Sequence, residues 1–269
     1  MAVATRVTKK REKPDRTATT KKKPATRTRK VAAGPAPEPV AKPETVLVMR
    51  SCDKDMKAHG GFVWPRSGPV ECPDWQPTKE CGHGLHGLHG LLWGEGDASL
   101  ISWADDAVWM VVEVAAADII DLGVNVKFPR GNVVFCGDRV AAGAFMSARA
   151  PGKKVHSGTA TAGYSGTATA GDRGTATAGD SGTATAGYRG TATAGCSGTA
   201  TAAKLGYALA GMGGKTRAAE NGCIAIRWYC DKSTRWRMTV GYVGENGIKA
   251  NQWYCLDAAG QFIECEGPK

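Results

Sequence analysis

The sequence predicts an α+β cap domain, followed by a short two-faced β-solenoid (8-residue repeats, 16 per coil) and a C-terminal antiparallel β-meander. Three observations carry this. From Gly158 the chain reads GTATAGYS, GTATAGDR, GTATAGDS, GTATAGYR, GTATAGCS and GTATAAKL, six units of eight residues. Before them lie apolar runs of strand length and one stretch of helix formers; after them come short alternating runs separated by turn signals. The expected parts are a basic tail over 1–44, an α+β domain over 45–152, the solenoid over 158–221 and the meander over 222–269.

The tail is set apart by its charge. Of the 35 Lys and Arg in the 269 residues, 13 fall in 1–44 against four acids, a net of +9, whereas the whole chain carries +10. Six of the 13 prolines lie there too, with no aromatic residue. Such a segment cannot bury enough apolar surface to offset the entropy of ordering, so disorder is expected. Lys9, Lys10 and Arg11, then Lys21, Lys22 and Lys23, then Arg27, Arg29 and Lys30 form clusters suited to neutralising phosphates, so nucleic acid or another polyanion is the expected partner. Without interleaved aromatics, binding there would be independent of sequence and strongly dependent on salt.

In the first domain, Thr45 to Arg50, Ala107 to Val114 and Asn132 to Cys136 read as strands, and Asp138 to Ala150 as a helix stopped by Pro151. Four of the five histidines and three of the nine cysteines crowd between Cys52 and His89. Cys81, His83, His86 and His89 have ligand-like spacing, and Cys72 or His59 would complete a tetrahedral zinc site. The tandem Gly84-Leu85-His86 and Gly87-Leu88-His89 reads equally as replication slippage. Zinc apart, no cofactor is expected.

In each octad the two threonines of Thr-Ala-Thr-Ala face one way and the two alanines the other. The degenerate units decide which face is inside, because Ile224 and Ile226 occupy alanine positions while Tyr207, Lys215 and Arg217 occupy threonine positions. Alanine goes inward. The outer face is Thr159, Thr161, Thr167, Thr169, Thr175, Thr177, Thr183, Thr185, Thr191, Thr193, Thr199 and Thr201. Eight residues are too few to close a coil, and the last octad position alternates Ser165, Arg173, Ser181, Arg189, Ser197, so the true period is 16. Glycines are expected to take the left-handed corner conformations. Self-association through the solenoid is a further expected partner mode.

Past the repeat, Gly222 to Tyr229, Arg235 to Val243, Gln252 to Leu256 and Gln261 to Cys265 alternate as antiparallel strands. Trp236 is expected in the core of this sheet.

The octads resemble those of bacterial ice-nucleation proteins, whose AGYGSTxT units also pair into 16-residue coils. That resemblance implies outward threonines able to order water. The order His59-Gly-Gly-Phe62-x-Trp64-Pro65, then Cys81-Gly-His-Gly84-Leu85-His86, then a strand with Glu113, then octads, resembles an uncharacterised family of bacteriophage and bacterial proteins with a Cys-x-x-Gly-Leu-His core. It implies no established activity. A fainter resemblance, of Arg50, His86 and Glu113 to the arrangement in NAD-dependent ADP-ribosyltransferases, implies a catalytic alternative in 45–150. The preferred reading makes Glu113 a strand charge and His86 a turn residue, in a non-enzymatic, phage-associated binding or structural protein. No apolar stretch approaches the roughly 18 residues of a membrane span, and no apolar leader precedes the lysines. The expected location is the cytoplasm of a bacterial host or a virion.

Overall fold

Alternation along the first strand decides how the N-terminal half packs. In the computed structural model, which describes residues 44–58, 61–80 and 86–268, β1 (Thr45–Cys52) lies antiparallel to β4 (Val108–Ala115), with Val48 opposite Val112 and Met49 opposite Val111. With β2 (Gly68–Glu71), β3 (Leu88–Leu92), β5 (Ile120–Asp121), β6 (Val126–Phe128) and β7 (Arg130–Gly137), they form a seven-stranded sheet in the order β2-β7-β4-β1-β3-β6-β5. Val48, Met110, Val112 and Phe128 pack one face against Trp64. Met49, Trp109 and Val111 pack the other against Ala142 and Met146. Covered on both faces, β4 is an unbroken apolar run at its centre rather than an alternating one.

Ala142 and Met146 belong to α1 (Arg139–Ser147), begun by Asp138, whose carboxylate accepts the Ala141 amide, and shorter than the stretch to Pro151 had suggested. Gly143 lets α1 touch the start of the repeat: a Cβ there would fall 2.2 Å from the Ser157 carbonyl oxygen.

The repeat forms two parallel sheets. β8 (Thr159–Ala162), β10 (Thr175–Ala178), β12 (Thr191–Ala194) and β14 (Tyr207–Ala210) stack in one. β9 (Thr167–Ala170), β11 (Thr183–Ala186), β13 (Thr199–Ala202) and β15 (Lys215–Ala218) stack in the other. Pairing is in register at a spacing of 16, Ala176 opposite Ala192 and Thr177 opposite Thr193. Between the sheets the alanines from Ala168 to Ala218 are at most 4% exposed. The solenoid thus has the 16-residue coil and alanine core that the octads imply.

The corners differ from expectation. The left-handed residue is the one before each glycine: Ser165, Arg173, Ser181, Arg189 and Ser197 have φ between 52° and 57°. The glycines themselves are required by space, since a Cβ on Gly182 would lie 2.8 Å from the Ala178 methyl and 2.9 Å from the Gly166 carbonyl oxygen.

Both ends of the rod are closed by different means. At the first coil, His156 occupies the place of Asp172 one coil on. Its Nδ1 accepts the Asp172 amide at 3.2 Å and its Nε2 meets the Gly96 carbonyl at 3.0 Å, which places the proton on Nε2. At the far end the antiparallel strands are present but divided into two hairpins, one per sheet. β16 (Cys223–Cys230) extends the first sheet in parallel with β14 and turns back as β17 (Arg235–Tyr242); β18 (Tyr254–Leu256) and β19 (Phe262–Glu264) extend the second beside β15. Ile224 and Ile226 fill the alanine positions there at 0% and 1% exposure. Trp236, expected in a core, is 47% exposed. β17 is the edge strand of its sheet, and on its outward face Trp236 meets the Arg227 guanidinium at 4.2 Å and the Tyr229 ring at 5.3 Å.

Two consequences are measurable by thermal or denaturant unfolding. Gly143→Ala, a change that raises intrinsic helix propensity, should instead destabilise the chain by about 1–3 kcal/mol through overpacking against Ser157. Thr216 sits at an alanine position, wholly buried, with no partner for its hydroxyl. Thr216→Val should therefore stabilise by about 1 kcal/mol, the cost of the desolvated hydroxyl.

Candidate functional site

The threonine face is the most extensive regular surface that the fold builds. On the first sheet Thr159, Thr161, Thr175 and Thr177 are exposed and Thr191 and Thr193 half-buried, in two straight ladders. Their hydroxyl-bearing positions repeat about every 7 Å along a strand and about 4.8 Å between strands. The second sheet is less open. Thr167 is exposed, while Thr169, Thr183, Thr185 and Thr201 are half-buried. Thr199, expected on the outer face, is buried at 9% exposure. Its neighbour in register is Lys215, whose Nζ donates to the carbonyls of Glu266 at 2.8 Å and Gly267 at 3.3 Å, bringing the C-terminal segment onto this face.

The residues of the catalytic alternative are not brought together. Arg50 shares a sheet face with Met110, its partner across β1 and β4, whereas Glu113 pairs with Leu47 and projects to the opposite face. Arg50 stacks 4.0 Å from the Trp64 ring centroid and donates from Nη1 to the His89 carbonyl at 3.0 Å; burial pushes its guanidinium below the ordinary range. Glu113 accepts from the Thr45 hydroxyl at 3.1 Å beside an open cleft of about 510 Å³ that Glu71, Asp118 and Arg130 also line.

Part of the histidine-cysteine cluster is organised by Asp74, which the spacing argument did not include. Cys72 Sγ donates to Asp74 Oδ1 at 3.2 Å, and Asp74 Oδ2 accepts the His86 amide at 3.1 Å with His86 Nδ1 at 3.3 Å. The amide of His86, then Cys72, holds the Asp74 carboxyl below its usual range. His89 lies in β3 directly opposite Lys127. Burial first, then Lys127 and Arg50, lower its proton affinity, and the same two cations oppose a metal ion there. Cys81 and His83, like His59 and the basic clusters from Lys9 to Lys30, lie outside the described residues. Among the described residues no group of three or more His, Cys, Asp or Glu is placed to hold a metal.

At the corners of the solenoid the sequence had hidden a second set of polar ligands, those for the backbone itself. Asp172 Oδ1 accepts the Tyr188 amide at 2.9 Å and Asp180 Oδ1 accepts the Cys196 amide at 2.7 Å, each one coil on. A Cβ on Gly187 or Gly195 would lie 2.4 or 2.3 Å from those oxygens, so the glycine before the corner makes room for the preceding coil's carboxylate. The only clue in the sequence was the recurrence of Asp at the seventh octad position.

The repeat region is similar to ice nucleation proteins. It is 49% identical over 108 residues to one from Pseudomonas syringae, a match covering 39% of this chain and 9% of that protein. It is 42% identical over 112 residues to one from Xanthomonas campestris pv. translucens, covering 40% and 7%, and 41% identical over 107 residues to InaU of Pantoea ananas, covering 39% and 10%. The chain therefore spans a tenth or less of the length of these ice nucleation proteins. Residues 46–148 match a separate family, described as a domain of unknown function, DUF7666. No solved structure matches.

The zinc question has a direct readout. Metal analysis of the purified chain should give less than one equivalent of zinc, because His89 faces two cations and Cys72 and His86 are already engaged by Asp74. A full equivalent would mean that Cys81 and His83 gather a site around them.

Proposed function

We propose that this chain is a non-enzymatic binding and structural protein, in which the solenoid is a short rigid spacer carrying an assembly surface and the segment 1–44 attracts polyanions. The observation that carries this reading is the in-register stack of coils whose inner alanines from Ala176 to Ala208 are at most 3% exposed, extended on one sheet by β17, whose outer edge is unpaired. On the outward face of β17, Trp236, Met238, Val240 and Tyr242 are 46–54% exposed, more contiguous apolar surface than a monomer's scattered exposed residues. The occupant is a second copy of this chain. Antiparallel pairing of β17 with its symmetry mate about Thr239 sets Trp236 against Tyr242 and Met238 against Val240, and it opposes Arg237 to Gly241 rather than to another cation.

Sedimentation velocity tests this. The wild-type chain should dimerise, Met238→Lys with Val240→Lys should be monomeric, and Met238→Lys with Val240→Glu should recover dimers, since each lysine then faces a glutamate. A monomeric wild type, or a dimer indifferent to both pairs of substitutions, would rule the surface out.

For the tail, deleting residues 1–44 should abolish most binding to duplex DNA at low salt, and binding by the intact chain should fall steeply as salt rises. On this reading the chain works in the cytoplasm of a bacterial host or in a virion, as the resemblance to bacteriophage and bacterial sequences implies.

A second reading is favoured by the ladders of Thr159, Thr175 and Thr191 and of Thr161, Thr177 and Thr193, together with the similarity to ice nucleation proteins. It assigns ordered-water binding to the first sheet. Droplet freezing should then begin at a higher temperature with the wild-type chain than with Thr161→Lys and Thr177→Lys; equal freezing temperatures would leave the spacer role alone.

A further inference from the structure

The alternation of serine and arginine at the end of each octad acquires a meaning from the direction of each edge. Ser165, Ser181 and Ser197 line one edge of the rod. Arg173 and Arg189 line the other, one coil apart, on the side where the N-terminal sheet abuts. There Arg173 stacks 4.4 Å from the centroid of the Trp103 ring, and Arg139, the first residue of α1, reaches the same ring at 5.9 Å. The indole is fixed from below, its Nε1 donating to the Ala98 carbonyl at 2.8 Å and its ring packed edge-on to Trp109 at 5.2 Å. Arg189 extends the row, 5.2 Å from the Tyr188 ring.

Three guanidinium groups thus converge from two separate parts of the fold. None of them has a carboxylate within ion-pair distance among the described residues. The acids of the neighbourhood are engaged or displaced: Asp172 accepts the Tyr188 amide, Asp138 caps α1, and Asp105 acts on Arg173 only at longer range. Burial first, then the like charges of Arg139 and Arg189, push the Arg173 guanidinium below its ordinary range. Docking onto Trp103 accounts for Arg173. It does not account for Arg189, whose guanidinium lies 5.2 Å from the Tyr188 ring, or for the approach of Arg139 and Arg189 to Arg173.

We propose that Arg139, Arg173 and Arg189 form a binding site for a phosphate-type oxyanion on the solenoid edge beside Trp103. A tetrahedral dianion satisfies planar guanidinium forks in pairs and relieves their repulsion. Arg173 and Arg189, at a coil spacing of about 4.8 Å, are close enough to share one phosphate. None of its residues belongs to the basic segment 1–44.

Calorimetric titration of the full chain with inorganic pyrophosphate, which is too small to gain from a long basic tail, tests the site. The wild-type chain should bind, and Arg173→Gln with Arg189→Gln should bind at least about tenfold more weakly, as expected when charge-assisted bonds are lost. Arg189→Gln alone keeps the Trp103 contacts, so it should weaken binding with an unchanged melting temperature. Arg235→Gln with Arg237→Gln, remote on β17, should bind like wild type. A parallel titration with oligothymidylate separates the sources of phosphate. Weakening of both ligands by the arginine pair assigns a nucleic-acid backbone; weakening of pyrophosphate alone assigns a small phosphate ion. Lys21→Gln, Lys22→Gln and Lys23→Gln should lower only oligothymidylate binding, so failure of the tail reading and failure of this one are distinguishable. No pyrophosphate binding by wild type, or equal binding by the arginine variants, overturns the site.

Discussion

The thinness of the solenoid core constrains everything else in the molecule. Two sheets held apart only by alanine methyls bring little apolar burial, about 0.8 kcal/mol for each methyl group, so cohesion rests on the parallel backbone ladder between coils. A ladder of this kind rewards repetition: the inner positions of the regular coils are alanine, with Thr216 and then Ile224 and Ile226 entering in register only toward the far end, and a Cβ at a glycine such as Gly182 would meet the neighbouring coil's backbone. It also leaves the terminal coils worst off. Ala160 and Ala162 in the first strand are only partly buried, against complete burial of Ala176 and Ala192 further in. The neighbouring parts of the chain can be understood as answers to that weakness. His156 copies the corner carboxylate of the next coil while holding the Gly96 carbonyl in the turn that follows β3, and Ile224, Ile226 and Tyr254 thicken the core where the rod ends.

How much of this is legible in the sequence depends on the range of the interaction involved. The octad, its inward alanines and its doubled period can be read directly, since each is a matter of local alternation and of Ser165 answering Arg173 eight residues later. The corner conformation cannot be read so simply: propensity points to glycine, yet in a coil this tight the scarce quantity at the glycine is space rather than dihedral freedom, and Ser or Arg accepts the left-handed turn beside it. The C-terminal strands are each visible as alternating segments. Their division into two hairpins depends on which solenoid sheet each one meets, a pairing over long range that alternation does not encode.

The candidate site residues show the same limit. Spacing groups Cys72, His86 and His89, but the side of the sheet and the charges opposite decide what they can do, and Lys127 opposite His89 is 38 residues away in sequence. Likewise Arg50 and Glu113 both sit on neighbouring strands, and a difference of one position in register is enough to send them to opposite faces. Trp236 was misplaced for a related reason. A tryptophan on a sheet is usually covered, and nothing local reveals that β17 is the last strand and that its outer face has no layer above it.

Two octads per coil give the repeat a parity. Gain or loss of a single octad by replication slippage would keep every strand, every alanine and every glycine in place, yet it would exchange the edges downstream. An arginine row beside Trp103 would move to the serine side, and the C-terminal hairpins would each dock on the other sheet, turning that end of the molecule through half a revolution. Gain or loss of two octads lengthens or shortens the rod by one coil and changes nothing else. The gene is therefore free to vary in steps of sixteen codons while steps of eight are penalised, so natural length variants of this chain should differ by whole coils.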